Sequence, residues 1–422
     1  MTGARFLAAG RVLALGLAIV MTGATGAQPA RDEALWAMVS GGRERVAETL
    51  RELVSIESPS SHAPGLQAIG DLLDKRLVAL GATVERVAAQ APSAGSHVVG
   101  RIRGSGSSRV LLMAHMDTIY PVGTLAARPF RIDGERAFGP GIADDRGGIA
   151  MILHSVEILK RRRFADFADL TVLFNTDEEI GSPDSGKLVT RLAAAADVVL
   201  SFEPTSTPRE ALTRGTAGNG EARVTVRGRA AHAGAEPERG RNALAEAADI
   251  VARTQGLDEA AKAFRFNWTR ISSGTVLNQI PDQATLSADV RYFSEELVKQ
   301  KLDELRGMLA KRRVPDTEAE LKFLVGRPAF VADAASNGLI ERAVAIYGEV
   351  GGTLLVVPRI TGGTDAGFAQ QSGRPVIEGM GMPGFGYHSS SEEYVALDRI
   401  PARLYLALRL IADHRVRTAA QR

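Results

Sequence analysis

Between residues 81 and 203 short apolar segments alternate with helical ones, and two of the apolar segments carry no polar break. Val110-Leu111-Leu112-Met113-Ala114 and Val198-Val199-Leu200 are continuous runs, where a strand with one wet face would place a polar residue at every second position. Such runs belong to strands covered on both sides. Strands are expected at 82–87, 97–103, 110–114, 170–175 and 198–202, and helices at 148–161 and 185–195. Two more helices are expected before them, at 36–56 and 69–80. The alternation predicts an α/β fold, a sheet with helices on both faces.

From about residue 217 the pattern changes. Arg223-Val224-Thr225-Val226-Arg227 alternates polar and apolar, the period of a half-exposed strand. A helix follows at 242–254, then strands at 264–271 and 285–292, a charged helix at 295–312 and a strand at 318–324. This β-α-β-β-α-β order is that of a ferredoxin-like α+β unit. After Arg327-Pro328 the α/β alternation resumes, with helices at 337–350 and 400–413 and a strand at 353–357. With 422 residues, two domains are expected: one built from 28–216 and 329–422, and one inserted at 217–328.

Composition excludes more than it suggests. A net charge of +2, with both signs mixed along the chain, gives no footing for nucleic acid or a membrane surface. The absence of cysteine rules out disulfides and thiolate metal sites, so any metal is held by histidine and carboxylate. At the start, Arg5 and Arg11 precede an apolar run, Val12 to Met21, and small residues from Thr22 to Ala27. Residues 1–27 read as a cleaved signal peptide, too short for a comfortable membrane span, which predicts a periplasmic or secreted mature protein.

Five stretches carry candidate metal ligands: Ala114-His115-Met116-Asp117, Ala143-Asp144-Asp145, Thr176-Asp177-Glu178-Glu179, Phe202-Glu203-Pro204 and Gly386-Tyr387-His388. His115, Glu179 and Glu203 each fall at or just past the end of an expected strand, where open α/β sheets place ligands. Read singly, each has a bland alternative. Asp117 could be a turn former beside a buried histidine, Asp144 a helix cap in its glycine-rich loop, and Glu203 a strand-end acid. Read together, two histidines and three carboxylates balance most of the charge of two zinc ions, and imidazole donors disfavour magnesium and calcium. In the acid pair Glu178-Glu179, one carboxylate can bind metal while its neighbour takes a proton.

These motifs resemble the M20 metallopeptidases and, within them, the folate-hydrolysing glutamate carboxypeptidases of the glucarpidase type. The resemblance runs in order through essentially the whole mature chain. It implies a zinc-peptidase-like catalytic domain with two Zn²⁺ per subunit: Asp144 bridging, His115 and Glu203 on one ion, Glu179 and His388 on the other. It also implies Glu178 as general base, Asp117 as support for His115, and a cis peptide after Asp144. His232, from the inserted domain, would stabilise the oxyanion, often across a dimer interface. Asn278, Arg291 and Arg327 would hold the carboxylate of a substrate whose C-terminal residue is glutamate, a task that guanidinium groups suit, and Gly362 would lie in a further loop on the substrate side. Arg146 departs from the family, where lysine is frequent; with the charge kept, little effect on the metals is expected. The implied protein is a homodimer through the inserted domain. An aminoacylase or dipeptidase of the same fold, and a non-catalytic binding protein, are the other readings; the presence of Glu178 argues against the last. No Gly-x-Ser-x-Gly elbow for a serine hydrolase is present.

Overall fold

The computed structural model describes residues 30–206, 208–389 and 391–413; the expected signal peptide lies outside them. Its largest sheet has eight strands in the order Thr83–Ala88, Ser96–Arg103, Asp169–Asn175, Arg109–His115, Val198–Ser201, Val376–Glu378, Ala211–Thr213, Leu355–Val357. Asp169–Asn175, Arg109–His115, Val198–Ser201 and Val376–Glu378 run parallel, while the first two strands are antiparallel to their neighbours, so the sheet is mixed.

The unbroken apolar runs are explained by burial on both faces. Val110, Leu112 and Ala114 enter one core with helices Arg43–Val54, Ala63–Leu80, Gly148–Arg161 and Ile400–Ala412. Leu111 and Met113, from the same strand, point into a second core with Leu188, Val189 and Leu192 of helix Ser185–Ala194.

A separate four-stranded antiparallel sheet is built from Arg265–Ser273, Gln283–Tyr292, Gly218–Arg227 and Glu318–Val325, in that order. Ala222, Val224 and Val226 alternate inward, against helices Ala243–Arg253 and Glu295–Leu309, in a core of their own. Asn242 and Ser294 start these helices by accepting hydrogen bonds from Ala245 N and Leu297 N. The chain reaches this sheet and returns from it through two strands paired side by side, Gly215–Thr216 and Phe330–Val331.

Three differences from the sequence expectations stand out. The helix expected at 36–56 is two helices, Glu33–Ser40 and Arg43–Val54, parted at Gly41-Gly42. The charged helix ends at Leu309, short of residue 312. Strands Ala211–Thr213 and Val376–Glu378 have no counterpart among the expected elements, since three residues are too few to show a period. Among the described residues no helix is long and apolar enough to cross a membrane.

Candidate metal centre

Parallel strands bring their carboxyl ends to one edge of the sheet, and the acids follow from there. His115 ends Arg109–His115; the neighbouring strand Asp169–Asn175 leads directly to Glu178 and Glu179; Val198–Ser201 leads to Glu203. Asp144 reaches the same place from a tight kinked turn, Ile142–Gly147, in which Asp144 and Asp145 leave helical geometry and are joined by a cis peptide. His388 arrives from the loop after strand Pro383–Phe385.

The two oxygens of Asp144 face different histidines. Oδ1 lies 2.9 Å from His115 Nε2, and Oδ2 lies 3.3 Å from His388 Nε2. Glu203 Oε1 stands 4.0 Å from His115 Nε2, and Glu179 Oε2 stands 3.0 Å from His388 Nε2. His115, buried to 1% exposure, has Nδ1 3.2 Å from both Asp117 Oδ1 and the Asp117 backbone oxygen. Asp117 therefore fixes a ring proton on Nδ1 and turns Nε2 toward the centre. Ligand atoms of His115, Asp144 and Glu179 all come within 4.8 Å of one another, and so do those of His115, Asp145 and Glu203. In the second group Asp145 is already engaged: Oδ1 accepts from Gly148 N at 3.0 Å and Oδ2 from His115 N at 3.4 Å. The helix-capping role open to Asp144 in the sequence belongs to Asp145, and Asp144 is left for the centre.

Electrostatics call for cations here. Burial pushes Glu203 well above the ordinary carboxylate range, with Glu178, Asp145 and Asp144 adding repulsion against the pull of His115. Burial and then Asp144 raise Glu179 as well. Asp144 goes the other way: burial would raise it, but hydrogen bonds to His115 and His388 hold it low. His115 is raised although burial opposes this, because Asp117 and Asp144 hydrogen-bond to it. So many acids in a shielded space, facing imidazole nitrogens, make a donor set that a pair of divalent cations would fit.

Residues 111–413 match the model of peptidase family M20/M25/M40. The chain belongs to this family. Over 397 residues it is 47% identical to Carboxypeptidase G2 from Pseudomonas sp. (strain RS-16), covering 94% of this chain and 96% of that protein. Among solved structures, aminopeptidase PepT from Bacillus cereus shares the fold at a TM-score of 0.70 and 20% identity, covering 87% of this chain and 98% of its own. YXEP from Bacillus subtilis, a dinuclear metal-binding peptidase from the M20 family, aligns at a TM-score of 0.64 and 17% identity over 88% of this chain and 98% of its own. An M20 peptidase is an enzyme, and the expectation of a hydrolase with a mixed α/β fold holds.

The supports of this cluster do more than their sequence setting alone reveals. Asp117 is fully buried; besides His115 it accepts from Ser60 Oγ at 2.7 Å, Glu178 N at 3.2 Å and Glu179 N at 3.1 Å. One carboxylate thus orients the histidine and the acid pair together. Asp177, the first acid of its run, accepts from Ser93 Oγ and from the backbone at Asp184 and Ser185, a structural task. Arg146 is buried and donates to Met116 O at 2.8 Å and to Ser58 Oγ, bracing the turn between His115 and Asp117. Burial brings its pKa down to about 10. Glu393 accepts backbone N–H bonds from the loop that carries Asp144. Burial pushes its carboxyl up to about 7.

Glu178 is 7% exposed, and its Oε1 lies 2.7 Å from Arg327 Nη1. Burial pushes Glu178 up to about 8, with Arg327 and His115 pulling against it. Arg327, itself buried, also donates to Glu178 O and Gly363 O, so it reaches the centre and the Gly362-Gly363 loop at once. His232 and Asn278 share a two-stranded ribbon, where His232 pairs with Gln279 and Ala233 N donates to Asn278 O at 2.9 Å. His232 Nδ1 accepts from Gly234 N and Ala235 N, which puts its ring proton on Nε2. Arg291 forms a two-point ion pair with Asp289 on the sheet face opposite the helices. Among the described residues no hydrogen bond or ion pair joins His232, Asn278 or Arg291 to the acids of the centre in this conformation.

Proposed function

We propose that this chain is a di-zinc exopeptidase that hydrolyses the amide bond to a C-terminal glutamate in folate-like, N-acyl or peptidyl donors. The observation that carries the reading is the split of the Asp144 oxygens between His115 and His388, with Glu178 beside them. His115 and Glu203 would hold one ion, Glu179 and His388 the other, and Asp144 would be shared. Zinc fits the imidazole and carboxylate donors, and when bound it would polarise the scissile carbonyl and acidify water.

The residues of the chain do the rest. Glu178, with Oε1 held by Arg327, takes the proton of the attacking water on Oε2 and returns it to the leaving nitrogen. Burial pushes this carboxyl up, and cations bound beside it would pull it back toward the ionised form that a base needs. Asp117 holds His115 in the tautomer that binds metal. The Nε2–H of His232 donates to the oxyanion, a contribution commonly worth ~3–4 kcal/mol. Arg327, Arg291, Asn278 and the Gly362 loop grip the substrate carboxylate. For this, residues 217–328 act as an inserted lid that brings His232, Asn278 and Arg291 to the centre, turning on the paired strands at 215–216 and 330–331. Exposed Ile271, Leu324 and Val325 on the outer strands of its sheet support a homodimer through this unit. The likeness to Carboxypeptidase G2 supports release of a C-terminal residue, and residues 1–27 support export.

The test is a product-release assay across N-acyl glutamates, other N-acyl amino acids and dipeptides, with and without chelator. Glutamate release that chelation stops and zinc restores is expected. Preference for neutral N-acyl amino acids or free dipeptides would move the protein to an aminoacylase or dipeptidase, and no release with zinc present would overturn the reading.

A further inference from the structure

Strands Pro383–Phe385 and Tyr394–Ala396 pair antiparallel, and the loop between them holds His388 near one end and Glu393 at the other. Tyr394 also pairs with Phe138, the residue just before the loop that leads to Asp144. Glu393 sits where the two loops meet and is 3% exposed. Its Oε1 accepts from Ala143 N at 2.7 Å and Asp144 N at 3.0 Å, its Oε2 from Gly141 N at 2.8 Å, and its backbone oxygen from Gly139 N at 3.2 Å.

Four hydrogen bonds donated along the Asp144 loop therefore converge on one residue, three of them on its carboxylate, the stronger kind. Packing between the two segments is equally close: a Cβ on Gly384, in the strand that leads into the His388 loop, would come within 2.5 Å of the Ala143 side chain. Within the His388 loop itself, a Cβ on Gly386 would come within 2.4 Å of Glu392 O. The His388 loop thus rests on the backbone that Glu393 anchors.

We propose that Glu393 is a positioning residue for the metal centre, a brace that sets the Asp144 carboxylate and the His388 loop together, so that both metal positions depend on it. This rests on the reading of Asp144 as the shared ligand. Glu393→Gln keeps the size but replaces an acceptor oxygen with an amide NH₂, which must then face at least one backbone N–H. Glu393→Asp keeps the charge and withdraws it by one methylene.

The holoenzyme is stripped with chelator and retitrated with zinc against a chromophoric competitor, and thermal melting is followed with and without metal. Glu393→Gln should weaken both zinc equivalents by ~10–100-fold, the range for residues that orient ligands. Glu393→Asp should do so to a smaller degree, and His388→Ala should weaken one equivalent only. Unchanged zinc constants in either Glu393 variant, with melting lowered equally in both forms, would assign a purely structural role and overturn the proposal. So would weakening of a single equivalent, or failure of both variants to fold. A His115→Ala protein that retains two equivalents would instead bring down the reading of the centre itself.

Discussion

Replacing Asp117 by asparagine removes one charge and no volume, and its effect follows atom by atom. Oδ1 receives Glu178 N at 3.2 Å and shares His115 Nδ1, at 3.2 Å, with the Asp117 backbone oxygen, which the substitution leaves in place, while Oδ2 receives Ser60 Oγ at 2.7 Å and Glu179 N at 3.1 Å. The better orientation of the amide keeps its oxygen at the Oδ1 position. Ser60 can then turn its hydroxyl to accept from the new NH₂, but Glu179 N–H faces a donor and loses its bond. An orphaned buried donor costs about 1–3 kcal/mol. The bonds that survive also fall from charge-assisted to neutral strength, roughly half. A less basic, less firmly held His115 should weaken zinc by ~10–100-fold. Urea unfolding of the metal-free protein reads the first effect, and chelator competition reads the second. Asp117→Asn should lower stability by about 1–3 kcal/mol and weaken zinc at the His115 position. A variant with wild-type unfolding midpoint and zinc constants would refute the reasoning.

Glu178→Ala should keep both zinc equivalents and lose turnover by ~10²–10⁴-fold; undiminished turnover would remove the proton-carrying role. Arg291→Ala should raise KM for substrates ending in an acidic residue more than it changes kcat, and an unaltered KM would take Arg291 out of the substrate site. Glu378, 1% exposed, is pushed up to about 8 by burial. The folded chain then keeps this proton up to about pH 8, whereas the unfolded chain releases it near 4.5, so stability falls as pH rises between the two. Glu378→Gln should flatten that part of the stability profile of the metal-free protein, and an identical slope in both proteins would count against it.

What is legible in the sequence is whatever burial on two faces, or a strand end, writes into residue order. Val110 to Ala114 shows no polar break because its side chains feed two cores in turn, so the strand and the place of His115 can be read directly. The supports of the centre are harder to see. Glu393 serves backbone N–H groups about 250 residues away, and an acceptor of backbone bonds imposes no pattern on its partners. Arg146 reads in the sequence as a retained charge, but its guanidinium holds the turn after His115. Arg327 carries the mark of a substrate contact, and it also grips Glu178, which only the approach of the two sheets decides. The break at Gly41-Gly42 is visible in the glycines, but helical spacing on either side masks it.

The strand Val376–Glu378 lies inside the main sheet, between Val198–Ser201 and Ala211–Thr213. Ribosomes deliver it late, after almost everything it must slot between. Until it arrives the sheet has a gap at its middle, and His388 and Glu393, which follow it, are absent from the site. Contacts of such long sequence separation form slowly. A chain cut before this strand should therefore neither close its sheet nor carry His388, the proposed ligand, and Glu393.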